Sequence, residues 1–231
     1  MSSYYRGGRA RSYNRRWRTF TRKTLTVVMT MIDIPALQSV RGQQERPPRV
    51  LDVACGTGLL LKWVIERVPE IEGYGVDASA DMLAQARVAL SGQPQVQLEQ
   101  RAISGGGTVH LPYAPAMFDL ITCTNALHEL PEPVAVLAEL RRLLAPRGQL
   151  VIEDYARREP PLPWAIVERL AHHIEGGYGH ASTMAEVHAL CTQAGLHITC
   201  ERTFVVDWLW HGWALHAAAK SSQESENEDC A

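Results

Sequence analysis

Two carboxylates and a glycine turn carry the first chemical signal in this chain. Asp52 is the one charge in the apolar run Val50-Leu51-Asp52-Val53-Ala54, and Cys55-Gly56-Thr57-Gly58 comes directly after it. Glycine permits the positive φ of a tight turn, and its missing Cβ lets a ligand approach the backbone. The N–H groups that open the next helix can bind an anion. Asp77 closes a second apolar run 19 residues after Gly58. In a βαβ unit, a strand-end carboxylate at that distance can accept hydrogen bonds from ribose hydroxyls. A strand-end aspartate also serves as an ordinary turn or cap residue, but Ser79 already offers the N-cap for a helix from Ala80. That favours a ribose role for Asp77. A dinucleotide fits less well, because its fingerprint wants a third glycine where this chain has Leu61.

A second set of residues could move protons. His128 and Glu129 come after one apolar run, and Glu153, Asp154 and Tyr155 close another. Ligands of open α/β sheets lie outside the carboxyl ends of the strands, so a base for a weak nucleophile is sought there. His128 reads as that base, or as a loop histidine packed on Pro131. Asp154 reads as a catalytic carboxylate, or as a cap for the next segment of chain. No Cys/His set has a recognisable ligand spacing, and His172, His173 and His180 read as exposed, so no metal is expected.

The elements that must position these groups come from periodicity. Val50–Ala54 reads as a buried strand, residues 59–68 as a helix, 71–77 as a second strand and 80–90 as a second helix. Toward the amino terminus, Tyr13, Trp17, Phe20, Leu25 and Val28 recur at roughly helical spacing from about Asn14, and Pro35 ends that helix. Residues 1–12 are polar and expected to be mobile, and 43–48 read as a linker. The helix is a solvated amphipathic helix, a lid placing Tyr13 and Trp17 over the ligand, or a basic face for phosphates or anionic lipid. Residues 157–182 form an insert with a helix at 164–174, and Tyr178 and His180 on its glycine-hinged loop are candidate substrate contacts. Residues 183–194 read as a helix capped by Ser182 and stopped by Gly195. Residues 196–203 and 205–217 read as an antiparallel pair. Alternation would put Trp208 and Trp210 on one face and His211 and Trp213 on the other. The indoles then pack under helices or form a wall for an apolar or aromatic substrate.

Composition bounds the rest. The 231 residues, 46% of them apolar, suffice for one domain with a full core. The net charge of −2 gives no global field toward nucleic acid. Locally, residues 1–24 carry seven arginines and Lys23 without an acid, while Glu224, Glu226, Glu228 and Asp229 make an acidic tail. Five scattered cysteines without a CxxC pair read as reduced thiols in a cytoplasmic protein. An Arg- and Ser-rich start is also compatible with an organelle transit peptide. No apolar run reaches membrane-spanning length.

The run from Val50 to Gly58 resembles the first motif of the class I S-adenosylmethionine-dependent methyltransferases, of the small-molecule, type 11-like kind, and Val76-Asp77-Ala78-Ser79 resembles the second. Residues 118–130 are similar to the family's fourth strand and the loop after it, and 140–152 to the helix, turn and fifth strand. The resemblance implies a three-layer α/β/α Rossmann-like sandwich. Its seven-stranded, mostly parallel sheet would have the order 3-2-1-4-5-7-6, with the last strand antiparallel. It divides the chain into a basic helical lid or extension (1–45), a methyltransferase domain (46–220) with the 157–182 insert on its substrate side, and a flexible acidic tail (221–231). It also implies that Asp52, Gly56 and Gly58 border the methionine part of S-adenosyl-L-methionine, and that Asp77 holds the ribose. Ala78 and Met82 would flank the adenine, and Asn125 would lie near the sulfonium. Many relatives place an acid before an alanine in the third motif, where the acid meets the adenine amino group. Here the sequence is Arg101-Ala102-Ile103, and an arginine cannot accept that hydrogen bond. Either backbone groups and Ile103 hold the adenine, or this edge of the pocket has diverged.

The expected function is methyl transfer to a small molecule, with an apolar or aromatic acceptor compatible with the indoles. The enzyme would be a monomer or homodimer and would leave S-adenosyl-L-homocysteine as the product. One alternative is an RNA or protein methyltransferase docking through the basic amino terminus. Against it, an Asn/Asp-Pro-Pro-aromatic motif is missing after the fourth strand. Another is a non-catalytic protein that binds S-adenosylmethionine for regulation.

Overall fold

The strand Arg49–Val53 (β1) is buried on both faces except at its first residue, as its Val-Leu-Asp-Val run requires. The computed structural model describes residues 7–103, 109–130, 132–157, 181–208 and 210–219. Around β1 lie strands Glu72–Asp77 (β2), Val96–Gln100 (β3), Phe118–Thr124 (β4), Leu144–Ala156 (β5), Leu196–Val205 (β6) and His211–Ala219 (β7). The sheet order is β3-β2-β1-β4-β5-β7-β6. All pairs are parallel except those of β7, which runs antiparallel between β5 and β6. Strand order and direction agree with the expected three-layer sandwich.

Alternation along the strands divides the core. Leu51, Val53, Ile121, Leu150, Ile152 and Trp213 face a cluster with the helices Pro133–Leu143 (α6) and Met184–Gln193 (α7). Val50, Leu120, Val151 and Ala214 face the opposite cluster, with the helices Arg18–Met31 (α2), Ile34–Gln44 (α3) and Leu59–Arg67 (α4). Leu25 and Val28 anchor α2 there, at 3% and 0% exposure. Each such side chain fully buried stabilises by about 1.5–3 kcal/mol. The remaining helices are Gly7–Arg16 (α1) and Ala80–Ala89 (α5). Because β1 connects to β2 on one side and its other neighbour is β4, the connections diverge at this seam, which opens a crevice at the carboxyl ends of the strands.

The amino-terminal segment differs from the sequence expectation. Residues from Gly7 onward are helical rather than mobile, and the Gly7 N–H donates to Asp81 of α5 at 2.8 Å. The expected single helix is two, broken at Trp17. Pro35 opens α3 instead of leading to a linker: it sits in the first helical turn, where its missing N–H costs nothing, and Asp33 caps by accepting from the Ala36 N–H. Two further corrections lie near the carboxyl end. Thr183, not Ser182, caps α7 in a reciprocal box with Glu186, while Ser182 pairs with the end of β5. Trp208 and Trp210 belong to the turn between β6 and β7, not to a strand face. Trp208 is 84% exposed, whereas Trp213 is fully buried. The expected helix at 164–174, Tyr178, His180 and the acidic tail lie outside the described residues.

Candidate active site

At the end of β1, Ala54, Gly56 and Gly58 all adopt positive φ, so the chain reverses sharply into α4. The Cys55 N–H donates to the Val76 carbonyl at 3.0 Å, and the Gly58 N–H donates to the Cys55 carbonyl at 2.9 Å. Gly75 on β2 makes room for this turn. A Cβ there would come within 3.0 Å of the Cys55 sulfur and 2.7 Å of Leu98. Gly58 has a related role. A Cβ would meet Leu90 at 2.8 Å and Ala86 at 3.2 Å, so it lets α4 approach α5.

Asp77 is more committed than its sequence position suggests. One oxygen accepts from the Gly56 N–H at 2.8 Å and the other from the Ser79 N–H at 2.7 Å, which fixes the glycine turn against the start of α5. Each carboxylate oxygen keeps a further acceptor site. Burial pushes its pKa up, and the two backbone N–H groups oppose that. Asp52 is buried and accepts from the Thr122 hydroxyl at 2.7 Å. Burial, aided by the charge of Asp77 and opposed by Thr122, pushes Asp52 up to about 7. Burial likewise raises the Cys55 thiol well above its ordinary value, so it stays protonated and unreactive.

Asn125, one residue beyond β4, sits at φ 50°, a left-handed conformation that asparagine tolerates. Its N–H donates to the Glu153 carbonyl at 2.9 Å and its amide to the Thr24 hydroxyl at 3.4 Å. Among the described residues its side-chain oxygen is buried without a hydrogen-bond partner.

These groups surround one cavity of 260 Å³. Asp52, Gly56, Asp77, Ala78 and Met82 line it, as do Arg101, Ala102, Ile103 and Asn125. Tyr13 lines it from α1, with Thr21 and Leu25 from α2. Gly58 and Trp17 are not among its lining residues. Glu129, named with His128 among the strand-end groups, lines it, and so do Thr21 and Leu25, which the sequence does not single out for this role. Thr21 and Leu25 carry no chemical signal, since their spacing is that of an ordinary packed helix. Tilted and edge-on ring contacts run from Trp17 through Phe20 and Tyr155 to Trp210, and the His128 ring meets Tyr155 at 4.9 Å.

His128 and Asp154 meet each other rather than the cavity wall. Asp154 accepts from the His128 backbone N–H at 2.8 Å, and its other oxygen lies 2.6 Å from Nδ1. Nε2 lies 3.9 Å from the carboxylate of Glu129, which is a lining residue. Glu153 is buried beside them, and burial with the neighbouring Asp154 charge pushes it well up, toward the neutral acid. Among the described residues no group of three or more His, Cys, Asp or Glu could hold a metal ion. None of the described helices is long and apolar enough to cross a membrane. A second, open groove of 630 Å³ lies between α2 and α4, lined among others by Arg18, Arg22, Arg67, Glu66, Trp63 and Met29. The Thr57 hydroxyl donates to the Asn14 side-chain oxygen at 2.8 Å, tying α1 to the glycine turn.

The chain is similar in sequence and in fold to known methyltransferases. Residues 51–152 match the sequence family described as "Methyltransferase domain". Demethylmenaquinone methyltransferase of Deinococcus radiodurans is 34% identical over 129 residues, 55% of this chain and 52% of that protein. Trans-aconitate 2-methyltransferase of an Azoarcus species is 38% identical over 125 residues, 50% of this chain and 46% of that protein. The chain thus spans about half the length of these curated relatives. The solved structure of an S-adenosylmethionine-dependent methyltransferase from Mesorhizobium loti aligns with a TM-score of 0.61. It does so at 19% identity, over 80% of this chain and 99% of that one, which is a likeness of fold.

Proposed function

We propose that this chain, whose residues 51–152 match the methyltransferase-domain family, is a class I enzyme that transfers a methyl group from S-adenosylmethionine to a small, largely apolar or aromatic acceptor. The observation that carries this reading is the 260 Å³ cavity, which gathers Asp52, Gly56, Asp77 and Asn125 at the β1–β4 crevice. Two features fit the donor independently of the family. The side-chain oxygen of Asn125 is a buried acceptor with no partner among the described residues. Gly56 lines the cavity at φ 53°, a left-handed conformation that favours glycine and puts a residue without a side chain at the wall.

When bound, the donor supplies an activated methyl on its sulfonium. The chain then has to hold, orient and exclude water. Asp77 accepts from the ribose hydroxyls while it fixes the turn. Asp52 and the turn face the amino-acid end, and Ala78, Met82, Ala102 and Ile103 flank the base. Tyr13, Thr21 and Leu25 cover the cavity and keep water from it. Proximity and orientation of this kind can supply roughly 7–11 kcal/mol of a barrier.

His128 is the proton acceptor for a weakly acidic nucleophile. Its Nδ1 donates to Asp154, which makes Nε2 the accepting nitrogen, directed toward Glu129 at the cavity wall. Asp154 orients the ring and stabilises the imidazolium. The Tyr155 ring beside His128, itself packed on Phe20 and Trp210, favours an apolar or aromatic acceptor. The named relatives methylate a demethylmenaquinone and trans-aconitate, both small molecules.

The test is calorimetric titration with S-adenosylhomocysteine, then incubation of the protein and S-adenosylmethionine with metabolite extracts. The expected result is binding of the product nucleoside and a new species heavier by one methylene. Binding without any methylated product would favour a regulatory protein. The arginines lining the α2–α4 groove favour one second reading, docking of a nucleic-acid substrate. RNA binding with a steep salt dependence would support it.

A further inference from the structure

At the edge of the donor cavity stands a residue of the wrong charge for the family pattern. Arg101 occupies the place where many relatives carry an acid for the adenine amino group, and it lines the cavity with Ala102 and Ile103. Its position is built. The Nη2 end is ion-paired with Glu99, two residues earlier on β3. The other oxygen of Glu99 accepts from the Tyr113 hydroxyl at 3.4 Å. The Nε atom of Arg101 is buried, and among the described residues it has no hydrogen-bond partner. A buried donor without an acceptor is costly, so it marks a place where an acceptor atom belongs.

A guanidinium only donates. Adenine presents two kinds of group along its edges, the donating 6-amino group and the accepting ring nitrogens. An acid at this position would select the amino group. Arg101 would meet that group donor to donor, and would pair with a ring nitrogen instead.

We propose that Arg101 reads the purine of the methyl donor from its acceptor side, Nε–H to a ring nitrogen, so that this pocket does not select for the 6-amino group. The inference rests on the donor-site reading of the cavity. It has a consequence for specificity. In the 6-oxo counterpart an accepting oxygen replaces the amine and N1 becomes a donor, while O6, N3 and N7 still offer Arg101 an acceptor. A pocket with an acid there would repel it.

The test compares S-adenosylhomocysteine with S-inosylhomocysteine by calorimetry on the full chain and on two variants, Arg101→Asp and Arg101→Met. Wild type is expected to bind the two nucleosides with similar affinity. Arg101→Asp should favour the amino form by about tenfold or more, as a charge-assisted hydrogen bond gained on one ligand and opposed on the other requires. Arg101→Met should weaken both by about tenfold while its thermal melt stays that of wild type. Arg101→Met also keeps the test decisive should Arg101→Asp fail to fold. If wild type already favours the amino form by about tenfold, or if Arg101→Met binds both nucleosides as wild type does, the proposal is overturned while the donor site stands. If wild type binds neither nucleoside, the donor-site reading falls and takes the proposal with it.

Discussion

The hydroxyl of Thr122 donates to Asp52 at 2.7 Å across the seam between β4 and β1, and among the described residues it is the one side-chain hydrogen bond that holds this buried carboxyl at the cavity wall. The pair links donor binding to pH. Burial lifts Asp52 from 3.8 to about 7, so the folded protein binds a proton that the unfolded chain releases near pH 4. The resulting stability is fully present below the unfolded value and is lost as pH rises through about 7. The ligand-free protein is therefore expected to lose stability between about pH 4 and about pH 7, by up to about 4 kcal/mol. Asp52→Asn should flatten that dependence in thermal melts. Donor affinity should move the other way, rising through neutrality as Asp52 ionises to face the donor's ammonium. Calorimetry in buffers of different ionisation enthalpy should then show proton release on binding. A pH-independent wild-type affinity would remove Asp52 from the amino-acid end of the site.

Asp77 makes two demands on one variant. Asp77→Ala removes the proposed ribose acceptor and strands the Gly56 and Ser79 N–H groups. Stranding them should lower stability by about 1–3 kcal/mol. The loss of donor affinity should exceed what partial unfolding explains when titrations are run well below the variant's melting temperature. Asp77→Asn keeps one acceptor oxygen and should retain more stability than donor affinity. Unchanged donor affinity in Asp77→Ala would show that this carboxylate only braces the turn.

The contrast between Asp77 and Gly75 shows what the sequence carries. Motif spacing singles out Asp52, Gly56 and Asp77, because a strand, a turn and a second strand fix those positions within a βαβ unit, whereas the sheet order is what the family resemblance implies. Gly75 is silent, since its value depends on how near Leu98 and Cys55 come from other elements. The contributions of Thr21 and Leu25 are silent for the same reason. Pro35 is ambiguous, because a proline that breaks one helix and a proline that opens the next look alike in one dimension. The side chain of Asp33, which caps α3, resolves it. Arg101 is legible as a departure, but only the cavity and its buried Nε give the departure a use.

Gly75→Ala is expected to damage the site through packing alone. The added methyl would lie 2.7 Å from Leu98 and 3.1 Å from Leu61, so both side chains would have to shift. Overpacking of this kind costs about 1–3 kcal/mol. Because the Cys55 sulfur would also lie at 3.0 Å, the glycine turn should shift and donor affinity should fall together with the melting temperature. Gly92, which has open space around it, is the control, and Gly92→Ala should change neither. A Gly75→Ala protein with lowered stability and intact donor affinity would separate the strand's packing from the turn's geometry.

The two-point hold of Asp154 on His128 separates a proton acceptor from a structural loop residue. If His128 takes the acceptor's proton, His128→Ala should lower kcat by about 10²–10⁴, the usual contribution of a positioned base. The dissociation constant for S-adenosylhomocysteine should change little, because His128 is not among the cavity-lining residues. Asp154→Asn should also lower kcat, since an amide in place of the carboxylate no longer fixes the tautomer with Nδ1 protonated. It keeps an oxygen for the backbone N–H of His128, so its melting temperature should fall less than that of Asp154→Ala, which strands both donors. The double variant His128→Ala/Asp154→Asn should be no slower than His128→Ala alone, because Asp154 acts through the ring. A double variant slower than either single one would give Asp154 a role of its own. Equal losses in kcat and donor affinity for His128→Ala would make His128 part of the frame that shapes the cavity, with Glu129 left as the carboxylate nearest the reacting groups.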